Sequence, residues 1–274
     1  MSSILVLTRD ARLLARLRDA WEPTYRVVQR PEWDGVAIVL RSGSIDVLAF
    51  DTGRTAGVSA GPSLRWLRGT YPELAYVAVV DPGAGRLAFA LGRRGVDGIV
   101  VAGATQARHA LRRAPEEAMG RALARSIGRR LAGEVDPLLA RCVSRAVEAA
   151  EHPAAVPLLA EPEGISVGSL RRRLRGSGAP PPGRILRWGR LLRAARALER
   201  DADSLDRVAH RFGYSSGAAL GRAIRRDVGV STTTLNNRGG LACALEAFLR
   251  TVGEPEAGSR DGSVEASPAE SPLP

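Results

Sequence analysis

The strongest constraint in this sequence is a change of rhythm near residue 115. Before it, five short apolar runs alternate with helix-like stretches. The runs are ILVL (4–7), YRVV (25–28), DVLAF (46–50), AYVAVV (75–80) and GIVV (98–101), and the stretches between them are 10–21, 33–42, 61–71, 84–94 and 104–114. Repeated strand-then-helix units imply a parallel sheet with helices on both faces. Strands that are apolar throughout fit a sheet buried on both sides. After residue 115 the strand signal stops, and the chain reads as helices separated by Pro/Gly breaks such as GSGAPPPG (176–183). The expected fold is therefore a doubly wound α/β domain with a five-stranded parallel sheet (1–114), a helical linker (115–134) and an all-α domain (135–252). The last stretch, 253–274, is rich in Gly, Pro, Ser and Glu, and is expected to be disordered because it cannot bury enough apolar surface to offset its chain entropy.

Charge sharpens the functional reading. The 274 residues carry a formal net charge of +11, and all 40 basic residues are Arg. Residues 121–235 hold 21 Arg against 11 acidic residues, whereas the tail from 253 onward holds one Arg against five acids. A basic excess of this size favours an anionic partner, nucleic acid before acidic membrane. The two cysteines, Cys142 and Cys243, lack metal-site spacing and suit a reducing cytosol. Neither a signal peptide nor an apolar run long enough to span a bilayer is visible, so a cytoplasmic protein without membrane contact is expected.

Residues 203–235 read as helix, tight turn, helix. Leu205, Val208 and Ala209 point inward from the first helix, Gly213 makes the turn, and Ser215 or Ser216 caps the second helix. That second helix, about 217–226, buries Ala219, Leu220 and Ala223 or Ile224 and exposes Arg222, Arg225 and Arg226, with Gly229 ending it. The segment resembles the second helix-turn-helix of the AraC family, in VA (208–209), FGYS (212–215), GRAIRR (221–226) and GVS (229–231). Leu220 and Ile224 replace the family's aromatics, and Thr232 replaces its proline. Upstream, ISVGSLRRRLR (165–175) is similar to the family's first recognition helix, with Ser166 as N-cap. RLLRAARAL (190–198) is similar to the helix that joins the two units, with Ile185, Trp188, Leu192 and Ala195 on its inner face. Pro157 and Pro162 are expected to shorten the helix before Ile165.

The resemblance implies a sequence-specific, duplex-DNA-binding transcription regulator. A joining helix from about Gly183 to Arg200 is roughly 27 Å long at 1.5 Å per residue, close to the ~34 Å that separates successive major-groove faces. The candidate DNA contacts are Ser166, Ser169, Arg171, Arg172, Arg173 and Arg175 in the first unit. In the second they are Ser215, Ser216, Gly217, Arg222, Arg225 and Arg226. At most two of Arg171, Arg172 and Arg173 can face DNA together, because three consecutive helical residues span most of the circumference. The second helix opens on Ser216, Gly217 and Ala218, which offer few base-edge hydrogen bonds, so that unit is expected to clamp the backbone.

The first domain resembles a CheY-like response-regulator receiver, with Asp51 after the third strand at the phosphoacceptor position. The rest of that site departs from the family. Thr8 and Arg9 stand where an acidic pair would hold Mg²⁺, with Asp10 one place late; Val80 replaces a Thr or Ser; Ala102 and Gly103 replace Lys and Pro. Asp51 is expected to form an ion pair with Arg9 rather than to accept phosphate, making this a pseudo-receiver used for dimerisation or protein contact. Residues 115–135 are expected to extend the last helix of this domain or to form the link to the DNA-binding half; Leu123, Ile127 and Leu131 lie at helical spacing there, so a homodimer is expected through this segment or through the first domain. RNA polymerase is a further candidate partner, and no cofactor or metal is expected.

Enzymatic chemistry finds no support. His109, His152 and His210 accompany no nucleophile motif, and DPGAGR (81–86) reads as a simple loop. The alternative is a protein-interaction scaffold in which both modules are degenerate. RNA binding lacks an aromatic stacking platform.

Overall fold

A computed structural model describes residues 2–41, 45–53, 60–102, 107–151, 154–200 and 204–253. The expected tail from residue 254, with His152 and Gly103, lies outside them. The first part alternates β1 (Ser3–Leu7), α1 (Ala11–Trp21), β2 (Arg26–Arg30), α2 (Asp34–Arg41), β3 (Val47–Asp51), α3 (Ala60–Thr70), β4 (Ala75–Val80), α4 (Gly85–Arg93) and β5 (Gly98–Val101). All pairings are parallel, in the order β2-β1-β3-β4-β5. This is the doubly wound, receiver-like arrangement anticipated above.

The strand sequences explain why both faces are covered. Side chains alternate faces at period two, yet here both alternations are apolar. Ile4, Val6, Val47, Ala49, Val77 and Val79 face one core with α1, while Leu5, Leu7, Leu48, Phe50, Tyr76 and Ala78 face another with α2 and α3. Asp10 caps α1, its carboxylate accepting from the Arg12 and Leu13 amides.

α5 (Ala107–Leu131) serves two cores. Leu111, Ala114, Ala118 and Ala122 cover the sheet, whereas Leu123, Ala124, Ile127 and Leu131 enter the helical core. The boundary expected at residue 114 thus falls inside one continuous helix. Pro115 cannot donate to the Leu111 carbonyl; the Trp21 indole N–H donates to it instead, at 2.6 Å, so the helix continues. The three apolar residues expected to pack against a second subunit are instead buried within the chain by the next helices.

The helical part continues with α6 (Pro137–Glu148), α7 (Pro157–Ala160), a 3-10 turn (Glu161–Glu163), α8 (Val167–Gly176) and α9 (Pro182–Arg200). α10 (Leu205–Arg211), α11 (Gly217–Asp227), α12 (Thr232–Asn237) and α13 (Gly240–Gly253) complete it. α7 is four residues long, opening on Pro157 and running directly into the proline-bearing 3-10 turn. α9 is the spine: Ile185, Trp188, Leu192 and Ala195 are all buried, and Trp188 meets Phe248 of α13 edge-on at 5.5 Å. At Gly189 a Cβ would overlap the Ala146 carbonyl, so glycine sets how closely α9 approaches α6.

Candidate nucleic-acid interface

α8 begins at Ser166, whose Oγ accepts from the Ser169 amide at 3.1 Å. Only Leu170 and Leu174 of this helix are buried. Arg171, Arg172, Arg173 and Arg175 are all exposed to solvent. The reason is the narrow apolar stripe: two leucines four residues apart fix the helix along a line and leave most of its circumference to solvent. Arg172 donates to Ser169 Oγ at 3.4 Å. Among the described residues no carboxylate pairs with any of these four guanidinium groups.

α10 and α11 form the second unit. Ser204 caps α10 through the Arg207 amide, and Ser216 caps α11 through the Ala219 amide at 3.2 Å. Gly213 makes the turn at φ 74°, where glycine alone is unstrained. Leu220 and Ile224, which replace the aromatics of the resembled pattern, are fully buried, and Thr232 occupies the first turn of α12 behind the Ser231 cap. Arg222 and Arg225 are exposed, as is Ser215. Arg226 is exposed too, but its guanidinium grips Asp227 through two bonds of 2.7 and 3.1 Å.

Gly217 departs from the expected contact set. It is buried, its amide donates to Asp206 Oδ1 at 2.6 Å, and a Cβ there would lie 2.9 Å from that oxygen. Its role is to let α11 approach α10. Ser216 likewise has its hydroxyl committed to the cap.

A different set of arginines meets carboxylates from the rest of the chain. Arg193, Arg196 and Arg200 share one stripe of α9. Arg200 pairs with Asp46 and Arg196 with Glu73, both at the amino ends of the sheet strands. Arg193 pairs with Glu151 and lies 3.6 Å from Glu116, and Arg211 of α10 pairs with Glu116 and Glu151. The Arg193 and Arg211 guanidinium groups both lie over the Phe212 ring, 5.6 and 5.3 Å from its centre. Burial holds the Glu151 carboxyl above its ordinary value even against the opposing pull of Arg193. No local sequence pattern marks these pairs, because the partners are up to 154 positions apart in the chain.

Asp51 lies at the opposite, carboxyl end of β3. It is buried, accepts from Thr8 Oγ1 at 3.0 Å and from the Gly53 amide at 2.9 Å. Arg9 does not complete the pair anticipated for it; it is exposed and bonds Glu32. Asp10, the displaced acid, has its carboxylate turned to capping α1. Among the described residues no cluster of three or more Asp, Glu, His or Cys could hold a metal, and these residues do not fit a receiver's Mg²⁺. Among the described residues no helix is long and apolar enough to cross a membrane.

Comparison with known proteins places one domain. Residues 159–238 match the family model described as a helix-turn-helix domain. No curated protein matches the chain. Solved structures with a similar arrangement include a response regulator receiver domain protein from Clostridium thermocellum. It is 21% identical, covers 44% of this chain and 96% of its own, and has a TM-score of 0.39. Full-length FixJ from B. japonicum is 16% identical over 82% of this chain and 96% of its own, at a TM-score of 0.35. RcsB from Salmonella enterica serovar Typhimurium bound to promoter rprA is 14% identical over 68% of this chain and 98% of its own, at 0.33. At these scores the likenesses carry no functional argument.

Proposed function

We propose that this chain, whose residues 159–238 form a helix-turn-helix domain of the AraC type, is a transcription regulator that reads duplex DNA through α8 and steadies it through α11. The observation that carries this is the row of exposed arginines on α8 that meet no carboxylate among the described residues. Guanidinium groups pair with phosphates and read guanine edges through two hydrogen bonds. Ser166 and Ser169 stand at the amino end of α8, where backbone N–H groups favour phosphate oxygens. In α11, Arg222, Arg225 and Arg226 with Ser215 supply backbone contacts. α9 spans about 28 Å at 1.5 Å per residue, which suits two helices addressing neighbouring major-groove turns.

Regulation in this reading does not use standard aspartyl phosphorylation. Thr8 and the Gly53 amide already engage Asp51, and the Mg²⁺ ligands are replaced. Acetyl phosphate with Mg²⁺ is expected to leave Asp51 unmodified; a stoichiometric, base-labile mass gain there would overturn this point. A homodimer through the first domain is supported by an apolar strip at the sheet edge, where Phe89 of α4 is 70% exposed beside Ile99 and Val101 of β5.

Selection of bound fragments from a random duplex library tests the function. Enrichment of a motif with two parts about ten base pairs apart is expected. If nothing is enriched and retention is merely charge-driven, the chain is an interaction scaffold.

A further inference from the structure

A second basic surface lies on the first domain, away from both helix-turn-helix units. A groove of about 1090 Å³ is lined by Arg65, Trp66 and Arg68 of α3, Arg93 and Arg94 at the end of α4, and Arg125 and Arg129 of α5. Among the described residues only Arg125 has a carboxylate partner, Asp97, which is buried beneath it. Arg68 and Arg129 donate to backbone carbonyls, of Arg94 at 2.6 Å and of Pro72 at 3.3 Å. Helix and loop ends need such donors, which accounts for those two. It does not account for Arg65, Arg93 and Arg94, for which no side-chain acceptor exists among the described residues.

Six guanidinium groups facing one concavity repel one another. Burial and the neighbouring Arg125 hold Arg68 below its ordinary value. A concave wall of one sign concentrates the field and raises the local concentration of an anion. The same groove presents an indole: Trp66 is 55% exposed, and Tyr71 meets it edge-on at 6.3 Å, fixing its plane. An aromatic face left open beside arginine forks suits a ligand with both a flat ring and phosphates.

We propose that this groove binds a free nucleotide carrying two or more phosphates, its base stacked on Trp66 and its phosphates held by Arg65, Arg93 and Arg94. Duplex DNA would satisfy the arginines but keeps its bases stacked internally, leaving Trp66 without a role. The site abuts the amino end of the sheet, the end at which Arg196 and Arg200 of α9 engage Glu73 and Asp46. A bound nucleotide is thereby placed to act on the contact between the two domains.

Calorimetry on the full chain tests this, using ATP, tripolyphosphate and adenosine as probes. The same titrations are run with the Arg171→Ala, Arg172→Ala, Arg173→Ala variant, so that α8 does not compete. One ATP per chain is expected, with tripolyphosphate about tenfold weaker for want of the stacked base. Trp66→Ala and Trp66→Leu should both reduce ATP to the level of tripolyphosphate. Arg65→Ala with Arg93→Ala should abolish both, while leaving the unfolding temperature and duplex affinity unchanged. The proposal is overturned if tripolyphosphate equals ATP and neither Trp66 variant matters, or if no probe saturates below about 1 mM. It is equally overturned if the Arg65 and Arg93 substitutions weaken duplex binding instead, which would make the groove a DNA clamp. None of these failures touches the role assigned to α8, which the library selection tests separately.

Discussion

Arginines of α8 and arginines of α9 are the same residue type on neighbouring helices, and the structure uses them in opposite ways. On α8, Arg171, Arg172, Arg173 and Arg175 stand in solvent without a carboxylate partner among the described residues. On α9, Arg193, Arg196 and Arg200 each meet an acid, and Arg193 is only 7% exposed in its side chain. The difference lies in what each helix buries. α8 sinks two leucines and stays at the surface, whereas α9 sinks twelve of its nineteen residues and must pair whatever charge goes in with them. A basic composition therefore says nothing about binding until each guanidinium is matched to its acid. The unmatched ones are free to act on a ligand.

This contrast can be broken from either side. The largest effect is expected at Glu151. Glu151→Ala leaves two cations, the buried Arg193 and Arg211, to share the single carboxylate of Glu116, which lies 3.6 Å from Arg193. Removing one member of a buried pair strands its partner, so a loss of about 2–4 kcal/mol in unfolding free energy is expected by chemical denaturation. A change below about 0.5 kcal/mol would mean that the pair is looser than drawn. Next comes Gly217→Ala. The added methyl would press on Asp206 and Leu205, separating α10 from α11 at a cost of about 1–2 kcal/mol; a neutral result would return Gly217 to the list of contact residues.

Smaller is the pair of Arg196 with Glu73, whose carboxylate is 43% exposed. Glu73→Gln should cost under about 1 kcal/mol and lose even that in high salt. The smallest effect concerns acid stability. Arg141 forks Glu163 with bonds of 2.8 to 3.1 Å and holds that carboxyl below its usual value. The stability this gives is fully present above about pH 4.5 and is lost as pH falls through the lowered value. Glu163→Gln should flatten the acid limb of the stability profile; an unchanged limb would remove Glu163 from the account.

Much of this was legible in the sequence, for physical reasons that can be named. Apolar runs of strand length, with both alternations apolar, specify a sheet covered on two sides. Ser166, Ser216 and Gly229 mark helix ends because local backbone groups need local partners, and all three sit where those groups are. The sequence left open whether 115–135 extends the last helix of the first domain or forms a separate link, because a proline at 115 interrupts a helix unless something else takes the freed carbonyl. Trp21, 94 positions upstream, supplies that donor. Gly217 was misread for a similar reason: it lies at the start of an exposed helix in sequence but under Asp206 in space. Arg9 bonding Glu32 rather than Asp51, and the acids that meet α9, are long-range outcomes that no window of sequence contains.

The most direct test compares the two arginine sets on one duplex. The duplex is the one recovered by selection, and affinity is measured against salt concentration for the native chain, for Arg171→Ala, Arg172→Ala, Arg173→Ala, and for Arg196→Ala with Arg200→Ala. The account predicts that the α8 variant loses at least about a hundredfold in affinity and up to about two phosphate equivalents of salt dependence, with unfolding unchanged. The α9 variant should keep both affinity and slope while unfolding more readily. Equal losses of affinity in the two variants would contradict the division between exposed and paired arginines on which the proposed function rests.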